Sequence, residues 1–378
     1  MAVVCLTLGS AVASAEVPVI SVGQQDEQVI GGDVEILVDP DGQISFEETW
    51  SDSGKLKFQK SEKEVPNFGF SDSAIWVRFS LANATGAPLE RLFSIGYALL
   101  DEVIIEVRQG GEIRRFEYGD LKPFAERDFY HRHFIVPLRF ESNERLDIRV
   151  RITSESSLRV PLTLWDDDAF YKEDVIQMLI NGLYYGLMLV MALYNAFVYF
   201  SIRERSYLVY VCFVVSAAIA QLAMSGLSYQ FLWPTWPWWG GVSVVLGLAL
   251  GTIFAGLFTL EFLQLKSTFP RVAKPLQIVV GLSTILAVAS FFIPYGYAAR
   301  GQLLLIMLAI PICVTAGVIS WRAGSVEAKF YSIAWFSFLG GAMLLALTYG
   351  GVLPANAITT RGHEVGGALL VVLLSLAL

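Results

Sequence analysis

The spacing of apolar positions divides the chain into two regions of different period. Between residues 33 and 168, short runs alternate apolar and polar positions, which is the pattern of half-buried β-strands. The clearest runs are 75–81, 103–107, 134–138 and 146–152. Turn-forming residues separate the runs at 83–86, 110–111 and 141–143. Many short strands with turns between them predict an all-β sandwich over residues 33–168.

From residue 175 onward, long apolar runs replace this alternation. They cover 176–200, 207–226, 240–262, 275–294, 301–320, 330–350 and 364–378. A helix that rises 1.5 Å per residue needs about 20 residues to cross roughly 30 Å of hydrocarbon. The first six runs meet or approach that length, and the seventh has fifteen residues. The sequence therefore predicts an all-α bundle of seven transmembrane helices over residues 176–378, with the last span truncated.

Charge follows the same division. The chain is 54% hydrophobic and has a mean hydropathy of +0.54, which an ordinary soluble protein rarely reaches. Up to Asp174 it holds 18 basic and 31 acidic residues, and from Val175 onward it holds 9 basic and 4 acidic residues. An acidic globular region and a nearly uncharged membrane region therefore share one chain. This composition predicts a multi-domain membrane protein.

The basic residues also predict the orientation of the bundle. Seven of them lie in or beside alternate loops: Arg203, Arg205, Lys266, Arg271, Lys274, Arg322 and Lys329. The intervening loops contribute only Arg300 and Arg361, so the positive-inside rule places the N-terminal domain outside the membrane. A signal peptide over residues 1–15, closed by Ala13-Ser14-Ala15, predicts the same topology. It lacks a basic n-region, and a plain apolar tail is the alternative.

The order of motifs along the chain resembles one family, the bacterial seven-transmembrane receptors with diverse intracellular signalling modules. In the first region the resemblance rests on 68–79 (FGFSDSAIWVRF), Asn83, Gly119-Asp120, Arg127, Pro137-Leu138, 149–151 and 161–165. In the second region it rests on 182–186 (GLYYG), Tyr194-Asn195, 207–210 (YLVY), Gly226 and Trp233-Pro234. The first region resembles the second type of extracellular domain in that family.

This resemblance implies a periplasmic jelly-roll sensing domain, similar to carbohydrate-binding modules, on a receptor of the bacterial inner membrane. It also implies a cytoplasmic output module after the seventh helix, such as a diguanylate cyclase, a histidine kinase or a phosphatase. The sequence contains no such module and no catalytic motif, so we expect it to be a fragment of a longer receptor. The expected partners are a small extracytoplasmic ligand, with carbohydrate as the first candidate, the lipid bilayer, a cytoplasmic signalling module and a second copy of the chain. We expect no cofactor, metal or nucleic acid.

Two pairs of residues in the predicted sandwich are candidates for contact with the ligand. Trp76 and Arg78 lie on one face of a predicted strand; a core tryptophan and an arginine paired with a carboxylate are the alternative. Tyr130 and Arg132 would share a face if their segment is a strand. An aromatic ring can stack on a sugar, and a guanidinium group binds hydroxyls or carboxylates. Ordinary surface positions are the alternative for this second pair.

One stripe of the first span combines polar and apolar residues at helical spacing: Asn181, Tyr185, Met188, Ala192, Asn195 and Tyr199. We expect this stripe to face the bundle interior, because amide groups are costly in lipid. Asn181, Tyr185 and Asn195 are then candidates for a polar network that relays the signal, and simple interhelical hydrogen bonding is the alternative. Three Gly-xxx-Gly pairs, at 182/186, 247/251 and 362/366, are weak helix-packing signals.

A transporter or channel with an accessory outer domain is the main alternative function. It predicts repeated halves, broken helices and charged groups at the membrane midplane. The sequence shows neither repeated halves nor such charges. Pro311 is the one residue that suggests a broken span, and a single proline is weak evidence. An intramembrane serine protease would use Ser225 and His363, but the Gly-x-Ser-Gly motif is absent.

Segment 229–239 carries four tryptophans and no charge. Aromatic rings of this kind anchor at the headgroup layer of a membrane, which is the role that we predict. A docking surface for the sandwich is the alternative.

Overall fold

The computed structural model of the chain describes residues 17–51, 56–349, 353, 359 and 361–378. The predicted signal peptide, residues 1–15, lies outside the described residues. The described chain forms two compact units. The first combines the residues up to Gly119 with Phe134–Phe170, and the second combines Asp120–His133 with Tyr171–Leu378. A short stretch from the middle of the predicted sandwich therefore belongs to the helical unit; we call it segment 120–133.

The first unit is an all-β sandwich, as predicted. Its strands are β1 (Val19–Val22), β2 (Glu27–Val29), β3 (Glu35–Asp39), β4 (Gln59–Lys60), β5 (Asn67–Phe70), β6 (Ala74–Asn83), β7 (Leu89–Ile95), β8 (Glu102–Gln109), β9 (Glu112–Tyr118), β10 (Phe134–Phe140), β11 (Arg145–Thr153), β12 (Ser157–Arg159) and β13 (Leu162–Trp165). The larger sheet has the order β4-β3-β6-β11-β8-β9, and β1 pairs in parallel with β6. The smaller sheet has the order β10-β7-β13-β2, and β12 pairs with β5. A short helix, α1 (Phe46–Trp50), follows β3.

The alternation within the strands explains where the core of the sandwich lies. On β6, Val77 and Phe79 are fully buried and belong to the main apolar cluster. Phe93 of β7, in the other sheet, packs against Phe79 with ring centroids 5.6 Å apart. Burial of one large apolar side chain contributes about 1.5–3 kcal/mol. Since the described part of this unit contains no cysteine, its stability rests on this core.

The second unit is helical. Its helices are α2 (Asp167–Ile202), α3 (Arg205–Met224), α4 (Leu227–Phe231), α5 (Pro237–Phe262), α6 (Leu265–Thr268), α7 (Pro270–Ala289), α8 (Tyr295–Arg322), α9 (Val326–Tyr349) and α10 (Gly362–Ala377). Within the described residues, α2, α3, α5, α7, α8 and α9 are long and apolar enough to cross a membrane. The predicted seventh span corresponds to α10, which is apolar but has only 16 residues. The proline at position 311 does not break α8, which continues through it.

Buried aromatic residues form the centre of the helical unit. Tyr210 of α3, Phe258 of α5 and Tyr331 of α9 are at most 1% exposed. The ring of Phe258 lies 5.9 Å from Tyr210 and 6.4 Å from Tyr331. Both buried hydroxyls have partners, because Tyr210 donates to the carbonyl of Val371 at 2.7 Å and Tyr331 lies 2.7 Å from the hydroxyl of Thr259. Such pairing is required where lipid offers no hydrogen bonds.

Candidate functional site

A row of charged residues crosses the larger sheet on the face that points away from the sandwich core. Strand register places five side chains in one line, which from β3 to β9 are Glu35, Arg78, Arg149, Glu106 and Arg115. The Nε of Arg78 lies 2.6 Å from a carboxylate oxygen of Glu35, and Nη1 of Arg115 lies 3.3 Å from Glu106. The first four residues are at most 9% exposed. Buried charges of this kind require partners, which the row supplies from neighbouring strands. We call this line the charged row.

The indole ring of Trp50, at the end of α1, covers the charged row. The guanidinium carbon of Arg149 lies 4.4 Å from the ring centroid, and that of Arg108 lies 3.8 Å from it. The indole N–H donates to Glu106 at 2.6 Å. Cation–π contacts contribute about 0.5–2 kcal/mol each, depending on solvation. The arrangement places one aromatic ring and two guanidinium groups together at a sheet face.

The predicted ligand residues Trp76 and Arg78 lie beneath this cover. Trp76 is fully buried, its ring meets Phe46 edge-on at 4.7 Å, and its indole N–H points to Asp39 at 3.4 Å. Arg78 is 6% exposed and is paired with Glu35. This geometry is that of the packing alternative. Trp76 offers no surface to a ligand, and Arg78 can take part only as a member of the charged row.

The other predicted pair, Tyr130 and Arg132, lies in segment 120–133, where the structure has no strand. A single 3₁₀ turn occupies Phe124–Glu126, and β10 begins only at Phe134. The prediction that Tyr130 and Arg132 share a strand face is therefore wrong, because the backbone does not alternate there. Tyr130 is 66% exposed and Arg132 is 6% exposed. The structure does not bring them together as one ligand surface.

Segment 120–133 packs on the stretch that joins α3 to α5. The backbone N–H of Phe124 donates to the carbonyl of Pro234 at 2.9 Å. The hydroxyl of Tyr130 donates to the carbonyl of Gln230 at 3.2 Å. The ring of Phe124 meets Tyr229 edge-on at 5.7 Å and Tyr130 edge-on at 5.1 Å. Backbone hydrogen bonds and ring contacts therefore fix this segment on the helical unit.

A buried polar cluster joins the same segment to α2. Nε2 of His131 lies 3.1 Å, and Nη1 of Arg132 lies 3.2 Å, from the same oxygen of Asp174. Nδ1 of His131 accepts the backbone N–H of His133 at 3.0 Å, so the neutral ring carries its proton on Nε2 and donates it to Asp174. Burial lowers the pKa of His131 below its usual value, against the opposing effect of Asp174. Both ring nitrogens of His131 are therefore engaged within the protein.

The two ends of segment 120–133 lie close together. The rings of Tyr118, the last residue of β9, and Phe134, the first of β10, stack with centroids 6.1 Å apart. The hydroxyl of Tyr118 also donates to the carbonyl of Ile135 at 3.4 Å. The segment therefore leaves the sandwich and returns to it at one place, as a closed surface loop does.

Three of the six residues of the polar stripe of α2 are buried in the bundle. Met188, Ala192 and Asn195 are at most 6% exposed. The amide nitrogen of Asn195 donates to the hydroxyl of Ser375 on α10 at 2.8 Å and to the carbonyl of Met191 at 2.8 Å. Asn195 therefore links α2 to α10.

The other two members of the proposed relay lie elsewhere along α2. Asn181 and Tyr185 are half-buried. They stand ten or more residues before Asn195, which is about 15 Å or more along the helix. The structure therefore does not join the three side chains into one network.

The residues of segment 229–239 fall into an exposed group and a group in contact with segment 120–133. Trp236 and Trp238 are 67% and 63% exposed, as headgroup anchoring requires. Tyr229, Gln230 and Pro234 contact segment 120–133 instead. The docking partner of this stretch is therefore a loop that no periodicity in the sequence marks.

The residues considered for proteolysis are engaged in other contacts. The hydroxyl of Ser225 donates to the carbonyl of Leu222 at 3.0 Å, and His363 lies 3.2 Å from the amide of Gln221. The part of the chain that the structure describes shows no group of three or more histidine, cysteine, aspartate or glutamate residues that could hold a metal ion.

Comparison with known families covers both units. Residues 177–378, more than half of the chain, match the family model described as 7TM diverse intracellular signalling. Residues 31–166 match the model described as 7TMR-DISM extracellular 2. A comparison with curated proteins finds no match.

Proposed function

The chain belongs to the 7TM diverse intracellular signalling family, and we propose that it senses a small polar ligand outside the cell and relays the event through its helices to a cytoplasmic output module. The family supports a membrane receptor with an extracellular sensing domain. The basic loops support an orientation in the bacterial inner membrane with the sandwich in the periplasm.

The position of segment 120–133 is the main structural support for this proposal. It is part of the helical unit, yet β9 and β10 of the sandwich hold it at both ends. A ligand that shifts these strands would therefore change the contacts that segment 120–133 makes with α2 and with the stretch between α3 and α5. Tyr130 and Arg132 then act as coupling residues rather than as ligand contacts. A relay requires such contacts to differ between two states of the receptor.

For the ligand itself, we place the contact surface at the charged row and Trp50. An aromatic ring beside guanidinium groups suits a saccharide or another hydroxyl-rich or anionic molecule. Arg108 and Arg115 stand at the more open end of this region, where Arg115 has a side chain 45% exposed. One titration can compare this surface with Tyr130 and Arg132, the pair that the sequence predicts as ligand contacts.

Isothermal titration of the segment 16–172 with a panel of neutral monosaccharides and disaccharides tests the ligand class. If a sugar binds at the charged row, the double variant Arg108→Ala and Arg115→Ala should weaken its binding by about 1.5–3 kcal/mol, which is the value of hydrogen bonds to charged groups. The double variant Tyr130→Ala and Arg132→Ala serves as the comparison and should bind normally. The opposite result would move the ligand to segment 120–133.

The relay is tested on the complete chain in proteoliposomes with a sugar found in that titration. Spin labels at positions 203 and 325, near the basic loops, report the distance between helix ends. Ligand should change this distance in the native chain. It should leave the distance unchanged when residues 120–133 are replaced by a short Gly-Ser linker. Accumulation of the sugar inside the vesicles would instead favour a transporter.

A further inference from the structure

A cavity of about 260 Å³ lies inside the helical unit, between α2, α3, α5, α8, α9 and α10. On α3 its lining extends from Phe213 to Met224, a length of about 16 Å at 1.5 Å per residue. Among the described residues that line it, none is a lysine, an arginine, an aspartate or a glutamate, and most are apolar. An engineered apolar cavity of about 150 Å³ holds benzene and stays dry. This cavity is therefore large enough for part of an organic molecule, and its mostly apolar lining favours an apolar one.

Two hydrogen-bonding side chains stand together at one end of the cavity. The amide nitrogen of Gln221 lies 3.2 Å from Nε2 of His363. An amide nitrogen can only donate, so the imidazole nitrogen accepts. Within the described part of the chain, nothing else bonds to the side chain of Gln221. One N–H and the amide oxygen are thus left for a group that both accepts and donates, such as a hydroxyl or a carboxyl group.

The Gly-xxx-Gly pair of α5 shows how the cavity is kept open. A Cβ at Gly247 would lie 2.9 Å from Cα of Ala220, so this glycine allows α3 and α5 to approach closely. A Cβ at Gly251 would meet nothing within 4 Å. Gly251 lines the cavity, and its missing side chain is part of the open space. Gly247 thus allows α3 and α5 to pack closely, whereas Gly251 leaves space in the cavity for a ligand.

We propose that this cavity is a binding site for an amphiphile with a long apolar chain, whose oxygen-bearing head group is bound by the side chain of Gln221, which His363 orients. The apolar lining selects the chain, the lack of lysine, arginine, aspartate and glutamate among the described lining residues disfavours a charged body, and Gln221, held by His363, binds the head. A free fatty acid and an ester-linked acyl chain of a membrane lipid both combine a long apolar chain with an oxygen that can accept the free N–H of Gln221. The site is separate from the sensing domain and does not depend on the ligand proposed for it.

The test uses the full chain in phospholipid nanodiscs with a sixteen-carbon fatty acid that carries a mid-chain diazirine. In a second arm the same chain is esterified in a phosphatidylcholine. After irradiation, mass spectrometry should place the cross-links on cavity-lining peptides of α5 and α8. Unlabelled palmitic acid should compete in the first arm. Labelling in the first arm identifies a free fatty acid as the occupant, and labelling only in the second identifies a membrane lipid.

Two glycine variants provide a matched comparison. Gly251→Leu fills the cavity and should abolish most of the cavity labelling. Gly281→Leu, on the exposed surface of α7 with nothing within 4 Å of its Cβ, makes the same substitution away from the cavity and should leave labelling unchanged. Gln221→Leu should lower apparent affinity about three- to tenfold, the loss of one hydrogen bond. Labelling that misses the cavity, or that persists in a correctly folded Gly251→Leu chain, would overturn the proposal.

Discussion

Replacing Asp174 by asparagine should release segment 120–133 from the helical unit. A single oxygen of Asp174 receives both His131 and Arg132, at 3.1 and 3.2 Å. The substitution keeps the shape of the side chain and removes its charge. Arg132, which is 6% exposed, is then left in a buried position without its counterion.

The expected cost follows from this burial. Breaking a fully buried ion pair by removing one partner costs about 3–5 kcal/mol, whereas an exposed pair contributes less than about 1 kcal/mol. The Arg132 side chain is 7% exposed and that of Asp174 is 25% exposed, so solvent screens the pair in part. A cost of about 1–3 kcal/mol is therefore expected, equivalent to a factor of about 5–150 in an equilibrium.

Hydrogen exchange measured by mass spectrometry on the chain in nanodiscs checks this value. Amides of segment 120–133 should exchange faster by that factor if they exchange through local release of the segment. Asp166→Asn is the control, since Asp166 pairs with the buried Arg91 at 2.8 Å within the sandwich. It should leave the exchange of segment 120–133 unchanged. Equal exchange of this segment in the native chain and in Asp174→Asn would refute the docking role of the cluster.

Three further predictions concern the same elements. Burial depresses the pKa of His131, so the released segment binds more protons than the docked one, and docking should weaken as the pH falls from about 7 to about 5, measured by the same exchange. The groups that face this ring are Asp174 on α2 and Arg127, Arg132 and His133 in the segment itself. Asn195→Leu should change the free energy of unfolding of the bundle by less than about 1 kcal/mol, because one intramembrane hydrogen bond is worth about 0.6 kcal/mol. The same substitution should shift the distance between spin labels at positions 203 and 325. Segment 16–172 with residues 120–133 replaced by a Gly-Ser linker should keep the circular dichroism spectrum of a β-protein, because the end of β9 lies beside the start of β10. A helical or unfolded spectrum would contradict this prediction.

The sequence predicted those parts of the fold that depend on a local period. The alternation at 75–81 corresponds to β6, and the apolar run at 301–320 lies within α8. Both could be predicted because the polarity of adjacent residues in the sequence shows which side chains are buried. The charged row could not be predicted in this way. Glu35, Glu106 and Arg149 stand on three different strands, and only the order β3-β6-β11-β8 places them in one line with Arg78.

The prediction of a strand within segment 120–133 was wrong for a different reason. The prediction assumed a strand at residues 129–133, whose polarity does not alternate, and Tyr130 and Arg132 are instead placed by partners about 100 and 40 residues away in the chain. The signal that could have indicated a loop is local. Pro123 begins the 3₁₀ turn that interrupts the extended backbone, and a proline removes one backbone donor from a ladder.

The glycine pairs show most clearly what a motif leaves open. A Cβ at Gly362 would lie 2.7 Å from the carbonyl of Gly341 and one at Gly366 would lie 2.9 Å from that of Ser337, so this pair joins α10 to α9. The pair at 182/186 on α2 has the same spacing and meets nothing within 4 Å. Identical spacing thus gives close packing in one helix and an open face in another. Since a small side chain permits close approach but supplies no attraction of its own, the neighbouring helix decides which outcome is realised.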